Sequence, residues 1–300
     1  MTKNFDAVVI GGGAAGLSGA LVLARSRRTV AVVDSGTPRN APAHGVHGLL
    51  GHDGIPPAHL LKRGREEVEG YGGQIIAGEV AATARVQDGF TVTLRDGRVL
   101  HARRLLVATG LRDVLPDVPG LARHWGRGLV HCPYCHGWEV RDEPIGVLAV
   151  GPASVHHALL FRQLTDDLVY FANGTGLDAE TRASFAAKGI RVVDTPVAEV
   201  ESDGDDISGV RLTDGEVVPR RVIAVVTRML ARTEGVEGLG LPVEDLPNGL
   251  GRRFVSGAAG TTDVPGVWVA GNATDPTAQV GASAAAGALA GAHINADLLH

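Results

Sequence analysis

The chain has 300 residues, with 28 Lys and Arg set against 33 Asp and Glu, and this net charge of −5 with a pI near 6.2 offers no electrostatic footprint for nucleic acid. A composition that is 44% hydrophobic and 20% charged is globular and long enough for one large core or two smaller ones. Only 4% of residues are aromatic, so that core has to be built from Val, Leu, Ile and Ala.

The opening Met1-Thr2-Lys3-Asn4-Phe5-Asp6 runs directly into a short apolar segment, without the charged, apolar and cleavage regions of a secretory signal, and a cytoplasmic protein is expected. No membrane span is expected, because the most apolar stretch, residues 281–292, is too short and too rich in Gly and Ala. Residues 6–10 read as a strand. Gly11-Gly12-Gly13-Ala14-Ala15-Gly16 follows, then a helix over 17–25 and a second strand over 29–33 that ends in Asp34. This is a β-α-β unit with G-x-G-x-x-G at Gly11, Gly13 and Gly16, and with an acid about twenty residues on. The glycines let backbone approach a pyrophosphate, the helix start offers N–H groups to it, and Asp34 accepts hydrogen bonds from a ribose. Such a pattern alone is weak, but here strand, helix and acid are all in place.

Residues 36–57 form a loop carrying His44, His47 and His52, and a helix is expected around 59–71. Alternation over 90–94 followed by Asp96-Gly97 predicts a hairpin. An apolar strand over 104–107 ends in the small turn Ala108-Thr109-Gly110, and the breaker-rich segment 115–120 reads as a linker to a second compact unit.

That unit contains both cysteines of the chain, Cys132 and Cys135, two residues apart and flanked by His131 and His136. A C-x-x-C pair in a cytosolic protein favours a working dithiol, and a neighbouring imidazole can lower a thiol pKa or move a proton. Three other readings remain open: a structural bridge, half of a metal site, or two inert buried thiols. So short a loop constrains the unfolded chain very little, and adjacent His–Cys pairs rarely reach one tetrahedral ion. Residues 145–151 repeat the strand-to-turn transition of the opening, with a helix over about 154–164, a strand over 168–172 and a closing strand over 222–226. Residues 267–272 begin a return to the first unit. The Gly- and Ala-rich segment 279–299, with Pro276 and Thr277 ahead of it, predicts a helix packed on a sheet, and its N-terminus is either a second cofactor contact or an ordinary helix start.

Four landmarks in this order resemble the thioredoxin reductase-like flavoproteins over nearly the full length: the Gly11–Gly16 turn, Ala108-Thr109-Gly110, the C-x-x-C, and Ala270-Gly271-Asn272 with Ala278-Gln279-Val280. The resemblance implies an α/β fold of two Rossmann-like, three-layer ββα domains and a homodimer. A discontinuous FAD domain over residues 1–114 and 228–300 would receive an inserted NADPH-type domain over 115–227. It places FAD on Gly11, Gly13, Ala14, Ala15 and Gly16, with Asp34, Ala108, Thr109 and Gly110 beside it. The ribityl chain would lie at Gly271 and Asn272, and the flavin ring near Gln279 and Val280. Asn272 stands where the family usually has Asp, and a neutral amide still hydrogen-bonds a hydroxyl.

The second unit departs further from the pattern. The family's G-x-G-x-x-A for NADPH aligns with Ala149, Gly151 and Ser154, with Pro152 in the turn, and Ala172-Asn173-Gly174 stands where basic residues would grip a 2′-phosphate. NADPH is therefore not the expected donor. Within the family, Cys132-Pro133-Tyr134-Cys135-His136-Gly137-Trp138-Glu139 looks like the dithiol oxidases that close disulfides in small natural products of the gliotoxin and holomycin kind, and most like the holomycin type. That resemblance implies attack of a small dithiol at Cys132, a Cys135 thiolate passing electrons to FAD, and O2 leaving as H2O2. His131 or His136 would act as base or else only cap or face solvent, and His44, His47 and His52 would be candidates to line the pocket. The alternatives are a relative that draws electrons from ferredoxin or another protein to reduce a thioredoxin-type partner, and a flavin-binding redox sensor.

Overall fold

The computed structural model describes residues 3–300, so Met1 and Thr2 of the opening segment lie outside the described residues. The chain divides into two compact units. The first runs to Asp113 and resumes over Met229–Leu246 and Gly251–His300; the second comprises Val114–Arg228 and Pro247–Leu250.

The first unit begins with β1 (Lys3–Ile10), α1 (Ala14–Arg25), β2 (Val30–Asp34), α2 (Pro57–Gly70) and β3 (Gln74–Ala77). A meander of β4 (Val80–Val86), β5 (Gly89–Leu94) and β6 (Val99–Val107) leads to β7 (Leu111–Val114). Strands β3, β2, β1 and β6 pair in parallel. Along β1 the side chains alternate between two cores: Ala7 and Val9 pack with Leu17 and Leu23 of α1, while Val8 and Ile10 pack with Phe90, Val92 and Leu94 of the meander. Covering both faces explains why the strand is apolar without a break from Ala7 to Ile10.

In the second unit, β8 (Leu129–Val130), α3 (Pro133–His136), β9 (Ile145–Leu148), α4 (Ala153–Phe161), β10 (Leu168–Phe171), α5 (Ala179–Ala187) and β11 (Arg191–Val193) precede a meander of β12 (Val197–Asp203), β13 (Asp206–Leu212) and β14 (Val217–Pro219). β15 (Val222–Val225) then enters the parallel sheet, whose order is β11-β10-β9-β15-β8. One face of that sheet buries Ile145 and Val147 with Phe161 and Phe185, and the other buries Leu148 and Ile223 with Ile207 and Val210 of the meander. Both units are thus helix, parallel sheet and antiparallel meander in three layers, the expected fold class.

The return comprises β16 (Arg228–Ala231), β17 (Val243–Asp245), β18 (Gly251–Phe254), β19 (Val267–Val269) and α6 (Val280–Asp297). β19 pairs with residues 105–107 of β6, and its Trp268 joins the helix-side core. Ala290 and Ile294 of α6 share a core with Leu106 and Trp268 of the sheet, as expected, and the small residues of the helix also admit a neighbouring helix. A Cβ on Gly287 would come within 1.8 Å of the Ala15 carbonyl oxygen, and one on Gly291 within 2.5 Å of that of Gly19, both in α1. Composition shows that a close neighbour exists but not that it is a helix. No helix among the described residues is long and apolar enough to cross a membrane.

Candidate active site

In the first unit the turn after β1 is folded tightly on itself. Gly11 has φ +109°, and a Cβ there would lie 2.2 Å from the Ala108 carbonyl oxygen, so only glycine lets this turn run along Ala108-Thr109. A Cβ on Gly16 would meet the Gly11 carbonyl oxygen at 1.8 Å, and one on Gly12 would meet the Asp34 carboxylate at 2.7 Å, which places Asp34 against the turn. On Gly13 a Cβ meets nothing within 4 Å. Gly13 is also the N-cap of α1, and no side chain caps that helix. The first turn therefore directs backbone N–H groups and the positive end of its dipole toward open space.

The residues near the C-terminus come to the same place. Gly271 sits between the starts of α1 and α6, where its Cβ would lie 2.7 Å from that of Ala15 and 3.8 Å from that of Ser283. Asn272 donates through Nδ2 to the carbonyls of Asp275 (3.0 Å), Pro276 (3.4 Å) and Ala278 (2.8 Å). A carboxylate there would face three carbonyl oxygens, which accounts for the amide. Gln279 is the N-cap of α6, again with no side-chain cap, and it lies against Gly48 of the loop after β2. The Thr109 hydroxyl donates to the Arg232 carbonyl at 2.7 Å, and the Arg232 N–H donates to that of Gly110 at 3.0 Å, so this landmark also ties β16 in place.

Sequence reasoning missed two arginines here. Arg39 holds Asp113 through two hydrogen bonds of 2.7 Å and pins the loop after β2, while Arg65 of α2 lies 4.0 Å from Asp34. Neither stands in a motif. Of the loop histidines, His47 lies 3.5 Å from Asp53, and His44 and His52 are exposed. The Gly48 N–H, and then His47, hold the Asp53 carboxyl below the usual range.

In the second unit Cys132 and Cys135 form a disulfide, with Cα atoms 5.2 Å apart. Cys132 is the N-cap of α3, Pro133 occupies its first position, and the Cys135 N–H donates to Cys132 Sγ at 3.1 Å. Gly137 closes the turn against Leu164, where a Cβ would come 2.4 Å from Leu164 Cδ1. His131 Nδ1 lies 3.1 Å from the Val225 carbonyl oxygen and 3.3 Å from the Thr227 nitrogen. The Val225 carbonyl only accepts and the Thr227 N–H donates to the same nitrogen, so the first contact is met with a proton on Nδ1 and the second with a lone pair there; together they anchor the ring by its Nδ1 edge. His136 lies on α3 itself. Tyr134, between the cysteines, and Trp138, after them, are 67% and 66% exposed, with the Arg141 guanidinium 4.2 Å over the Trp138 ring. Among the described residues no group of three or more His, Cys, Asp or Glu side chains is placed to hold a metal ion.

Residues 5–291 match the family model of the pyridine nucleotide-disulphide oxidoreductases. The chain belongs to that family. It is 35% identical over 284 residues to thioredoxin reductase tcpT of Claviceps purpurea, covering 90% of this chain and 87% of the relative. It is 31% identical to thioredoxin reductase sirT of Leptosphaeria maculans, covering 97% and 93%. Among solved structures, HlmI superposes with a TM-score of 0.92 at 45% identity, covering 100% of this chain and 94% of that one.

FAD is the cofactor of this thioredoxin reductase-like flavoprotein, and the first unit fits it. The uncapped start of α1, the open space beside Gly13 and the acid against Gly12 are what a pyrophosphate and a ribose require. The equivalent turn in the second unit is built otherwise. Pro152 is the N-cap of α4, and Ser154 is fully buried with its hydroxyl accepting the Val150 N–H at 3.0 Å. After β10, Asn173 Oδ1 accepts the Val197 N–H at 3.0 Å, and residues 172–176 contain no Lys or Arg.

Proposed function

We propose that this flavoprotein is a dithiol oxidase that closes an intramolecular disulfide in a small natural-product dithiol, with O2 reduced to H2O2, and that it works as a cytoplasmic homodimer. The observation that carries this reading is the second unit: the two places where a nicotinamide dinucleotide would be gripped hold a proline, a buried serine and a turn without a cation. Residues 1–114 and 228–300 would form the FAD domain. Gly11, Gly13, Ala14, Ala15 and Gly16 would hold the pyrophosphate, with Asp34 on a ribose. Ala108, Thr109, Gly110, Gly271, Asn272, Gln279 and Val280 would line the rest. Residues 115–227 would present the cysteines.

In the chemistry proposed, one substrate thiolate attacks Cys132 Sγ, the Cys132–Cys135 bond breaks, and Cys135 leaves as the thiolate. The second substrate thiol attacks the substrate sulfur of that mixed disulfide, which closes the product and releases Cys132. His131, anchored by Nδ1 between Val225 and Thr227 and next in sequence to Cys132, would be the base that deprotonates a substrate thiol, and His136 is the other candidate. FAD, when bound, supplies a two-electron acceptor that restores the cysteine disulfide and is reoxidised by O2. The balance is one dithiol and one O2 to one disulfide and one H2O2.

One observation favours a second reading, in which a donor other than NADPH drives reduction of a thioredoxin-type protein. Tyr134 and Trp138 are exposed on either side of Cys135, as a protein-docking patch requires. Anaerobic mixing separates the readings. A small dithiol should bleach the flavin within seconds while NADPH leaves it yellow, and peroxide should appear once air is admitted. Rapid bleaching by NADPH sinks the oxidase reading, and oxidation of a reduced thioredoxin-type protein in preference to any small dithiol favours the second.

A further inference from the structure

One titratable group beside the disulfide has no part in that chemistry. His157 lies on α4, is 6% exposed, and places Nε2 2.5 Å from the His131 carbonyl oxygen. Because that oxygen can only accept, Nε2 carries the proton and donates it. Nδ1 is then an acceptor, and it is buried with no partner among the described residues. The ring meets Phe161 edge-on, with centroids 4.8 Å apart. Burial holds the imidazole neutral by lowering its pKa to about 4. A phenylalanine or leucine here would bury no orphaned acceptor, so the histidine carries a local cost.

The bond it makes lands at the corner where β8 gives way to α3. His131 is thereby held twice, its side chain by the Val225 carbonyl at the end of β15 and its own carbonyl by His157 on α4. The next residue is Cys132, whose sulfur accepts the Cys135 N–H. We propose that His157 is a positioning residue for the redox disulfide, clamping the His131 carbonyl so that Cys132 begins its turn with sulfur directed at the Cys135 amide. This rests on the reading of Cys132 and Cys135 as the working pair. After reduction the same amide would stabilise a Cys132 thiolate, so releasing the corner weakens the reduced state more than the disulfide.

The test compares holoprotein variants equilibrated in thiol–disulfide buffers and then alkylated. Cys132 and Cys135 are the only cysteines in the chain, so alkylation reads the pair directly. His157→Phe keeps the ring against Phe161 but lacks the donor, and its disulfide should become about tenfold harder to reduce, about 30 mV for a two-electron couple. His157→Gln, whose amide nitrogen reaches the position of Nε2, should stay within about threefold of the wild type, whereas the shorter His157→Asn should behave like the phenylalanine variant. A phenylalanine variant that folds and keeps the wild-type equilibrium overturns the proposal. Should it not fold, indistinguishable Gln and Asn variants overturn it equally. Shifted equilibria in a protein whose flavin no small dithiol bleaches would refute the oxidase reading and leave this one standing.

Discussion

After β1 the chain turns through Gly11-Gly12-Gly13, packs backbone on backbone, and leaves the start of α1 uncapped beside open space. After β9, in a unit with the same three layers, it turns through Ala149-Val150-Gly151-Pro152 and draws the Ser154 hydroxyl back onto the Val150 amide. The cores beneath the two turns are equally apolar and closed, with Val8 and Val9 in one and Val147 and Leu148 in the other buried to 2% exposure or less. The sheet-and-helix scaffold therefore does not depend on the turn that would touch a phosphate. A unit of this build can carry a different turn over an equally closed core and serve as a rigid mount for other groups, here Cys132, Cys135 and the histidines around them.

The largest effect expected from this division is that of Cys135→Ser. Dithiol-dependent turnover should fall at least about a thousandfold, as removal of one member of a concerted pair does. Because the proposed FAD cradle lies in the first unit, the purified variant should keep its full flavin absorbance. Normal turnover in stopped-flow assays would overturn the relay, and loss of bound flavin would show that the two units are not independent in this respect.

Each unit announces itself locally and conceals what is long-range. The Gly11–Gly16 turn, Asp34 and the C-x-x-C are legible because the residues that act together are adjacent or lie on one β-α-β unit. The clamp on the His131 ring joins positions 94 residues apart, that on its carbonyl 26, and the Arg39–Asp113 pair 74, with no periodicity to mark any of them. The contact of α6 with α1 was hidden for a related reason: a run of Gly and Ala specifies the distance to a neighbour and not its identity. Asn272, read from sequence as a substitute for Asp, gains its reason only from the three carbonyls it holds.

Acid should separate the units next. The buried histidines, His124 and His157, both lie in the second unit, and desolvation lowers the pKa of each. For His157 the unfolded chain takes up a proton near pH 6.5, whereas the folded one does so only near 4. Its contribution is therefore complete above pH 6.5 and declines as pH falls from 6.5 toward 4, by about 3 kcal/mol in total. Hydrogen exchange followed by mass spectrometry should show peptides of β9, α4 and β10 opening before those of β1 and α1 as pH falls through that window, with a shallower slope in His157→Gln. Simultaneous opening of both units would remove this asymmetry.

The smallest effect gives the sharpest comparison. Gly13 and Gly151 hold corresponding places in the two turns, and a Cβ added to either meets nothing within 4 Å. Neither has a positive φ, so alanine suits the backbone at both sites and should leave the unfolding temperature of the flavin-stripped protein unchanged or slightly raised. Their consequences for ligand should nevertheless diverge. At Gly13 the methyl enters the space a pyrophosphate must occupy, and FAD affinity should fall about tenfold, or about 1.4 kcal/mol. If, as proposed, no phosphate is held at Gly151, flavin content, dithiol turnover and the response to NADPH should all match the wild type. FAD titrations of both variants after stripping the cofactor measure the difference. Equal affinity in Gly13→Ala would remove the first turn from the cofactor site, and a Gly151→Ala protein whose dithiol turnover changed would mean that the second turn still has a ligand to hold.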